Sequence, residues 1–534
     1  MAAKLLFCNI FLLVIIFVSS PILSTSSTTI KANTSHEAIC NSTPYPSDCR
    51  ATLPLNQSGT IHVYSRFFVQ KSVTVANHFL ALLNSFLKTR RPPLPETTIR
   101  ALQDCHLLGE LTLETLSKTY QTINFTNSLD VFEADDLQTS LSAVLTNQQT
   151  CLDGLEEVTS AASVRNALSV PLSIGTKLYS ISLALFKHGW VDDDAEDSDN
   201  DKVLPSATRR RTLQITSTNL EGVLVSQMVV VNKNGRGNFT TISEAINAAP
   251  NNTAIGNRNS TTYFGIYVVR GVYEEHVSIP RNKHNLMLIG DGINKTVITG
   301  NRNVVDGWTT FNSATFGELN LDPEPSSTKQ WHSETTPTCL HSIDAASKAT
   351  KTLYTRTPSG NSTEAATSTA QLIFGNAAVV LQNCNIYARL PLRNQFNAIT
   401  AQGRTDPNQN TGTSIHNCKI RAASDLATNN GTTRTYLGRP WQQYSRTAYM
   451  QSYMDSLIDP AGWKEWSGNF ALTTLYYAEF NNSGPGSNTS SRVTWPGYRV
   501  ISATDAVNFT VSNFIVGDAW LTATTGVPYT AGLL

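Results

Sequence analysis

The chain lacks an excess of charge of either sign, because its 40 Lys and Arg residues are balanced by 40 Asp and Glu residues. This balance argues against the basic surface of a nucleic-acid-binding protein and against a polybasic membrane anchor. The sequence also lacks the CxxC and HxxxH spacings typical of zinc sites. With 534 residues it is too long for one ordinary hydrophobic core, so we expect two or more domains.

The apolar run near the N-terminus is too short to span a membrane comfortably. Lys4 precedes this run, Leu5–Val18, and small and polar residues follow it. The layout predicts a signal peptide over residues 1–25, and an uncleaved anchor is the alternative. Asn-x-Ser/Thr sequons agree with secretion, at Asn33, Asn41, Asn124, Asn238, Asn259, Asn294, Asn430 and Asn508. We therefore expect a secreted, extracellular glycoprotein with no membrane attachment after signal removal.

Four cysteines precede residue 160 and follow the signal segment: Cys40, Cys49, Cys105 and Cys151. Secretion favours disulfides between them, and their spacing alone permits three pairings. Zinc is the competing hypothesis, but no metal-ligand spacing accompanies these cysteines. We expect disulfides and no metal.

Residues 35–190 are predicted to form an all-α, up-down four-helix bundle. Apolar residues recur there at three- and four-residue steps, as the buried face of a helix requires. The clearest run is Val73, Ala76, Phe79, Leu80, Leu83, Phe86 and Leu87, and similar periodicity runs through Ala101–Leu116, Leu137–Leu145 and Leu152–Leu185. Four such helices with short connections favour the bundle.

Residues 191–227 are predicted to be a linker. An acidic stretch begins at Asp192 and is typical of a solvated segment. The cluster Arg209-Arg210-Arg211 follows it, and a basic cluster in an exposed linker is a reasonable protease site. A surface charge cluster without that role is the alternative.

From residue 228 to residue 534 the chain is predicted to be an all-β, right-handed parallel β-helix. Short β-rich runs such as Tyr263–Val269, Asn285–Ile289 and Thr296–Thr299 are separated by turn residues. One internal repeat is visible, since Asn383–Ala388 recurs as Asn417–Ala422. Equivalent strands at coil-length separation are expected when the coils of a β-helix stack on each other. A β-sandwich would also give short strands, but not this duplication.

Several linked blocks in this second region resemble the pectinesterase family. They are Gly271-Val272-Tyr273-Glu274-Glu275, Asp306–Phe316, Ile373-Phe374-Gly375-Asn376-Ala377-Ala378 and Leu437-Gly438-Arg439-Pro440-Trp441. The resemblance covers roughly residues 228–316 and 372–534. It implies hydrolysis of galacturonate methyl esters in the pectin of plant cell walls, without metal or cofactor.

The N-terminal region resembles the invertase and pectin methylesterase inhibitor family, through its early cysteine hairpin and through Ala101–Cys105 and Thr150–Gly154. That resemblance implies the disulfide pairs Cys40–Cys49 and Cys105–Cys151 and an autoinhibitory pro-region. It also implies that Arg210-Arg211-Thr212-Leu213 is a processing motif for a protease. A separate inhibitor protein is a possible further partner.

The resemblance also implies a mechanism based on two carboxylates. One aspartate attacks the ester carbonyl, and the second protonates the leaving methoxide and then activates water. A glutamine helps to hold the developing oxyanion, and an arginine orients the nucleophile and keeps it ionised. Arg439 matches this arginine, while Trp441 and Thr310 match substrate-binding positions. A surface Arg-Pro turn is the alternative for Arg439.

The sequence departs from the family over residues 318–371, where both aspartates and the glutamine belong. The slot for the acid and base aspartate holds Lys351, and the slot for the nucleophile holds Gln371. Lysine does not readily donate a proton to methoxide, and an amide is no nucleophile. As written, the chain has no intact catalytic residue for the family mechanism.

The departing segment is interpreted as a frameshift, in the gene or in the recorded sequence. When each codon is taken from its third base, Lys329–Glu334 permits a peptide that includes Ala-Val-Ala-Leu-Arg, part of a family motif. Thr335–Tyr354 then permits the family's Gln-Asp pair, and Ala366–Ile373 permits Asp-Ile-Tyr-Gly-Thr-Val-Asp, which contains the nucleophile. A diverged inactive homologue and an exon-boundary error are the alternatives.

Three functions compete on this evidence. The first is an esterase precursor that acts on methylesterified pectin. The second is an inactive pectin-binding or inhibitor pseudoenzyme. The third is another β-helix enzyme such as a polysaccharide lyase, which needs a cluster of calcium-binding carboxylates. The sequence contains no such cluster, and the Leu437–Trp441 block argues against a lyase.

Overall fold

The structure, a computed structural model, describes most of the chain outside the N-terminus, the linker and the departing segment. The described residues are 35–54, 59–88, 94–191, 224–251, 262–280, 283, 286–291, 295–299, 308, 316–318, 330–333, 369–388, 390–391, 395–429, 433–520 and 529–534. The predicted signal peptide, the processing motif Arg210–Leu213, Thr310 and Lys351 lie outside these residues.

The N-terminal part forms a bundle of four long helices preceded by two short ones. The helices are α1 (His36–Asn41), α2 (Pro46–Thr52), α3 (Ile61–Lys88), α4 (Glu96–Ile123), α5 (Val131–Glu157) and α6 (Ala162–Phe186). Helix α3 packs against α4 and α6, and α5 packs against the same two helices, which closes the bundle. The predicted face of α3 points inward: Ala76, Phe79, Leu80 and Leu83 are at most 9% exposed. The bundle prediction is confirmed.

The boundary of the last helix differs from the predicted one. The apolar periodicity of Leu152–Leu185 suggests one continuous segment, but α5 extends to Glu157 and α6 begins at Ala162. Val158 lies between them in an extended conformation, with φ of −101° and ψ of 103°, and a short 3₁₀ turn follows it. The spacing of apolar residues gives no sign of this break, because Leu155 before it and Val164 after it are buried in the same core.

Both implied disulfides are present. Cys40 bonds to Cys49 and joins α1 to α2, while Cys105 bonds to Cys151 and joins α4 to α5. All four cysteines are at most 2% exposed. The second bridge lies in the middle of the bundle, so it closes a loop between the two helices that pack most extensively on each other.

Among the described residues, one helical stretch is long and apolar enough to cross a membrane by length and composition alone, namely Thr159–Val191. It contains α6 and the π-helical turn Lys187–Val191. In the structure 61% of its most apolar window is buried in the bundle. A core helix satisfies the same criterion, and packing against α3 and α5 accounts for its apolar composition.

The C-terminal part is a parallel β-helix. Its strands are β1 (Leu224–Val231), β2 (Thr262–Val268), β3 (Gly271–Glu274), β4 (Val277–Ile279), β5 (Leu286–Gly290), β6 (Thr296–Thr299), β7 (Phe316–Glu318), β8 (Gln330–Ser333), β9 (Thr369–Gly375), β10 (Ala378–Gln382), β11 (Asn385–Ala388), β12 (Phe396–Gln402), β13 (Gly412–His416), β14 (Lys419–Ala422), β15 (Thr435–Gly438), β16 (Arg446–Met450), β17 (Tyr453–Met454), β18 (Tyr476–Phe480) and β19 (Tyr498–Val500). The strand orders are β1-β2-β5-β8, β10-β13-β16-β18-β19, β11-β14-β17, β15-β12-β9, β3-β6 and β4-β7, and the pairings between these strands are parallel. The three predicted β-rich runs match β2, β5 and β6 to within one residue at each end.

Short helices border the β-helix. Helix α7 (Ile242–Ala248) begins with a capping box between Thr241 and Glu244 and contacts β1, β2 and β4. The others are α8 (Ser424–Ala427), α9 (Ala503–Ala506), α10 (Val511–Ile515) and α11 (Gly517–Trp520). Helix α10 packs on β10, where Val511 and Ile515 are buried against Ala378 and Val380.

The repeat found in the sequence is the stacking register of two coils. Asn385 pairs with Lys419 and Ile386 pairs with Ile420, so corresponding residues of the repeat lie on top of each other. The inward column continues to Met454, which pairs with Ile420. These three side chains are at most 8% exposed and belong to the main core of the β-helix. An alternating strand pattern therefore specifies which residues of each coil face inward.

The same repeat explains a column of corner residues. Asn383, Asn417, Gln451 and Asn481 precede or follow equivalent strands, and each has a φ between 47° and 60°. Asparagine tolerates the left-handed region better than most residues. Asn417 Nδ2 also donates a hydrogen bond of 2.7 Å to Asn383 Oδ1 in the coil below. The stacked asparagines thus adopt the left-handed backbone conformation that the corner requires and also form a hydrogen bond with each other.

Candidate active site

The sheet of β9, β12 and β15 contains position 371 and ends next to Arg439, two of the predicted site residues. The backbone of Gln371 in β9 pairs with Ala398 in β12, and Ala398 pairs with Tyr436 in β15. Positions 371, 398 and 436 therefore form one row across three coils. Arg439 follows directly after β15, and its backbone N–H donates a hydrogen bond of 3.0 Å to Thr400 O.

Arg439 is buried, so the alternative of a surface Arg-Pro turn is wrong. Its side chain is 5% exposed, and its guanidinium carbon lies 3.9 Å from the ring centre of Trp466 and 5.8 Å from that of Phe396. Two aromatic faces stabilise a cation that has lost its water. Phe396 pairs with Thr369, two residues before position 371 in β9, so the guanidinium contacts the same sheet as position 371.

The charge of Arg439 is maintained despite its burial. Loss of solvation lowers the pKa of its guanidinium to about 10, and Tyr477 acts in the opposite direction. A guanidinium with that pKa is still a cation at neutral pH. The site therefore contains a fixed positive charge in a poorly hydrated position, where it interacts more strongly with an anion than it would at the surface.

Trp441 lies close to the backbone of Gly403. A Cβ at Gly403 would come within 3.2 Å of Trp441 Cε3, so the absence of a side chain at Gly403 lets the ring pack closely. Phe374 meets the ring edge-on at a centroid distance of 6.0 Å. Trp441 is half-buried, which leaves part of an aromatic surface accessible two residues after Arg439 in the chain.

Sequence reasoning missed the aromatic partners of this site. Phe374, Phe396 and Trp466 come from three separate segments, and only Phe374 lies inside a block that resembles the family. A signal for Trp466 is present in the density of tryptophans at Trp463 and Trp466. Nothing in the sequence pairs Trp466 with Arg439, because the contact spans two coils.

A second buried arginine in the β-helix, Arg492, forms a charge pair that has a structural role. Arg492 and Glu479 are each 2% exposed in their side chains, and Arg492 Nε donates a hydrogen bond of 2.8 Å to Glu479 Oε1. Trp463 Nε1 and Tyr498 Oη also donate to this carboxylate. The guanidinium donates further to Pro460 O and Gly486 O. A pair satisfied so completely anchors the coils instead of reacting with a ligand.

The remaining predicted site residues are not placed. Thr310, Lys351, Arg210, Arg211 and Leu213 lie outside the described residues, and Gln371 is described only through its backbone. In the part of the chain that the structure describes, no group of three or more His, Cys, Asp or Glu side chains could hold a metal ion.

Comparison with known proteins decides the family. Residues 228–320 and 348–518 match the Pectinesterase family, and residues 34–185 match the plant invertase/pectin methylesterase inhibitor family. The probable pectinesterase/pectinesterase inhibitor 41 of Arabidopsis thaliana is 46% identical over 549 residues, covering 94% of this chain and 95% of the relative. The chain belongs to the pectinesterase family. It combines a pectinesterase domain with an inhibitor-like region, so the esterase-precursor hypothesis is supported over the pseudoenzyme.

A second relative from the sequence comparison agrees. Pectinesterase 1 of Citrus sinensis is 38% identical, covering 94% of this chain and 90% of the relative. Among solved structures, the pectin methylesterase from carrot is 39% identical and matches with a TM-score of 0.46, covering 60% of this chain and 100% of that one. The pectinesterase match is interrupted over residues 321–347, inside the segment of 318–371 in which the sequence departs from the family.

Proposed function

We propose that this chain is the precursor of a plant cell-wall pectin methylesterase, which hydrolyses galacturonate methyl esters and releases methanol. The observation that carries the proposal is the position of Arg439, a buried cation that contacts the sheet containing position 371. The family mechanism requires a nucleophilic carboxylate at that position and a cation that keeps it ionised. The shifted frame supplies an aspartate there.

The proposed reaction needs only groups of the chain and water. The carboxylate at position 371 attacks the ester carbonyl, and a carboxylic acid at position 351 protonates the leaving methoxide. The resulting acyl-enzyme is then hydrolysed by a water molecule that gives its proton to the second carboxylate. Both carboxyl groups return to their starting states, and the products are methanol and a free galacturonate.

Arg439 and Trp441 have separate roles in this proposal. Arg439 orients the nucleophile and holds its pKa low, so that it is ionised at the pH of the reaction. Trp441 offers an accessible ring on which a sugar face can stack, and Thr310 is proposed as a further substrate-binding residue. Stacking on Trp441 stabilises the bound substrate and the transition state equally, whereas the charge of Arg439 stabilises the ionised form of the reacting carboxylate.

The chain as written carries only the binding half of this site, since Lys351 and Gln371 stand in the two carboxylate slots. The test compares the chain as written with a chain in which the shifted frame over codons 318–371 is restored. Both are cut in the linker and freed of the inhibitor-like bundle before the assay, because that bundle is expected to inhibit the esterase. Methanol release from methylated pectin is measured for both, with circular dichroism as the check of folding. We expect release only from the restored chain.

Two outcomes would contradict the proposal. Methanol release by the chain as written would show that other residues supply the nucleophile. A restored chain that folds but releases no methanol would favour the inactive pectin-binding or inhibitor protein instead.

The cellular part of the proposal concerns secretion and processing. We propose that residues 1–25 direct secretion to the plant cell wall, and that a protease cuts the chain between pro-region and enzyme at Arg210-Arg211-Thr212-Leu213. Changing Arg210 and Arg211 to Ala should leave the full-length precursor inside the secretory route, as measured by blotting of cell and wall fractions. Normal size and export of that variant would exclude this processing site.

A further inference from the structure

Helix α5 has a polar stripe that is buried although it does not face the bundle core. Asp135, Gln138, Thr139, Ser142 and Thr146 recur at three- and four-residue steps, which puts them on one face of the helix. Gln138, Thr139, Ser142 and Thr146 are at most 6% exposed. In a free bundle such a stripe would face water. Here it faces the β-helix.

The stripe contacts the loop Gly403–Thr411, which joins β12 to β13, and Asn376, which follows β9. Gln138 Nε2 donates to Asn408 O at 3.0 Å, and Gln409 Nε2 donates to Ser142 O at 2.8 Å. Asn376 Nδ2 donates to Thr146 Oγ1 at 2.9 Å. Polar side chains of the two parts therefore satisfy each other where water is excluded.

Asn410 makes several of these contacts alone. Its Nδ2 donates to Thr139 Oγ1 at 2.7 Å and to Asp135 Oδ1 at 3.2 Å, and its Oδ1 accepts from Ser142 Oγ at 3.4 Å. One amide thus bridges about two turns of the helix surface. Such a geometry is specific for this helix face, because donors and acceptors must alternate at the helical spacing.

The loop is held in its binding conformation by its own hydrogen bonds. Gln409 Oε1 accepts from the backbone N–H groups of Thr405 and Asp406 at 2.9 and 3.1 Å, and Arg404 Nε donates to Gln409 O at 2.9 Å. Asp406 Oδ1 accepts from Asn408 N at 2.8 Å. A loop ordered in this way loses little conformational entropy when the bundle binds.

Helices α4 and α6 add contacts outside the stripe. Ser180 Oγ in α6 donates to Asp406 Oδ2 at 2.5 Å, and Asp406 is 4% exposed. In α4, the guanidinium carbon of Arg100 lies 4.4 Å from the ring centre of Trp308. The contact surface therefore extends over three helices of the bundle.

We propose that this side-chain network, and not the covalent linker, holds the helical bundle on the β-helix, so that the two parts remain a one-to-one complex after the chain is cut between residues 191 and 227. The partner that fits the surface of Asn376 and Gly403–Thr411 is thus the chain's own inhibitor-like bundle, recognised through the polar stripe of α5. The proposal concerns binding alone and does not depend on esterase activity.

The test uses the full chain with a site-specific protease sequence placed in the linker and an affinity tag on the N-terminal part. After cutting, the tagged bundle is immobilised, and the dissociation rate of the β-helix fragment is measured. We expect the wild-type fragments to stay together through size exclusion at low micromolar concentration. Separation of the wild-type fragments at that step would overturn the proposal.

A double variant, Gln138→Ala with Asn410→Ala, removes four of the hydrogen bonds described above. A net hydrogen bond is equivalent to a factor of roughly 3 to 10 in an equilibrium constant, so the loss of four should make dissociation at least about 80-fold faster. The matched control, Gln121→Ala with Asn469→Ala, changes the same residue types at exposed positions and should leave the rate unchanged.

Thr146→Val provides an isosteric second variant, which keeps the shape of the helix and removes only the hydroxyl. We expect faster dissociation than for the wild type, with unchanged helix content by circular dichroism. Equal dissociation rates for wild type, double variant and Thr146→Val would show that the network does not hold the complex. If the double variant does not fold, the dissociation rates of Thr146→Val and of the wild-type fragments test the proposal.

Discussion

Replacement of Arg439 by alanine in the frame-restored chain should separate the catalytic role of this residue from its packing role. A cation about 4 Å from a carboxylate interacts by roughly 4 kcal/mol at an effective dielectric constant of about 20. Loss of one oriented stabilising group in an active site typically costs about 10²- to 10³-fold in kcat. We expect a loss of that size in methanol release.

The substitution should also destabilise the fold, because Arg439 is 5% exposed and packed between Phe396 and Trp466. Two lost cation–π contacts predict a decrease of about 1–3 kcal/mol in the free energy of unfolding, measured by urea titration. Arg421→Ala is the matched control. Arg421 is exposed and its guanidinium carbon lies 5.5 Å from the ring centre of Tyr453, away from the row of position 371.

A pH profile distinguishes the two roles. A neighbouring cation favours the ionised form of the nucleophile and lowers its pKa, so removal of Arg439 raises that pKa. The acid limb of kcat/KM should therefore move to higher pH in Arg439→Ala, and Arg439→Lys should restore most of this shift because it keeps the charge. A variant with near-normal turnover and an unshifted acid limb would refute the assignment of Arg439.

Four other variants test three separate parts of the structure. Trp441→Ala should raise KM more than it lowers kcat in the methanol assay, because stacking on a sugar stabilises ground state and transition state alike; an effect confined to kcat would contradict this role. Burial raises the pKa of the Asp406 carboxyl, which faces Ser180, Asn408, Arg404 and Tyr45. Separation of the two parts therefore releases a proton from this carboxyl, and docking should weaken as the pH rises from its ordinary pKa to the raised one. Asp406→Asn should abolish that pH dependence of the dissociation rate, and an unchanged slope would exclude this carboxyl as its source. When both Cys105 and Cys151 are changed to Ala, the free energy of unfolding should fall by about 4 kcal/mol, because this disulfide joins residues 46 positions apart. When both Cys40 and Cys49 are changed to Ala, it should fall by about 2.6 kcal/mol, because the separation is 9 residues. A larger loss for the second pair in urea titration would contradict the loop-entropy argument.

The sequence predicts secondary structure and burial correctly where the residues of a local pattern all pack against the same neighbouring element. The run from Ala76 to Leu83 predicts the buried face of α3, since a helix exposes every third or fourth residue to the same neighbours. The repeat of Asn383–Ala388 and Asn417–Ala422 predicts the stacking of β11 on β14, because each coil offers the next one the same inward residues. The break between α5 and α6 was missed, since a short turn at Val158 leaves the apolar spacing nearly intact.

By itself, the sequence determined the helical bundle, the parallel β-helix and the residue types available at the candidate site, including Lys351 and Gln371 where the family resemblance implies carboxylates. Only the tertiary structure decided that Arg439 is buried between Phe396 and Trp466, and that the polar stripe of α5 is covered by Asn376 and the loop Gly403–Thr411. Both contacts join segments far apart in the chain. The neighbouring residues in the sequence predict on which face of a strand or helix a side chain lies. Whether that side chain is buried depends on which distant part of the chain packs against that face.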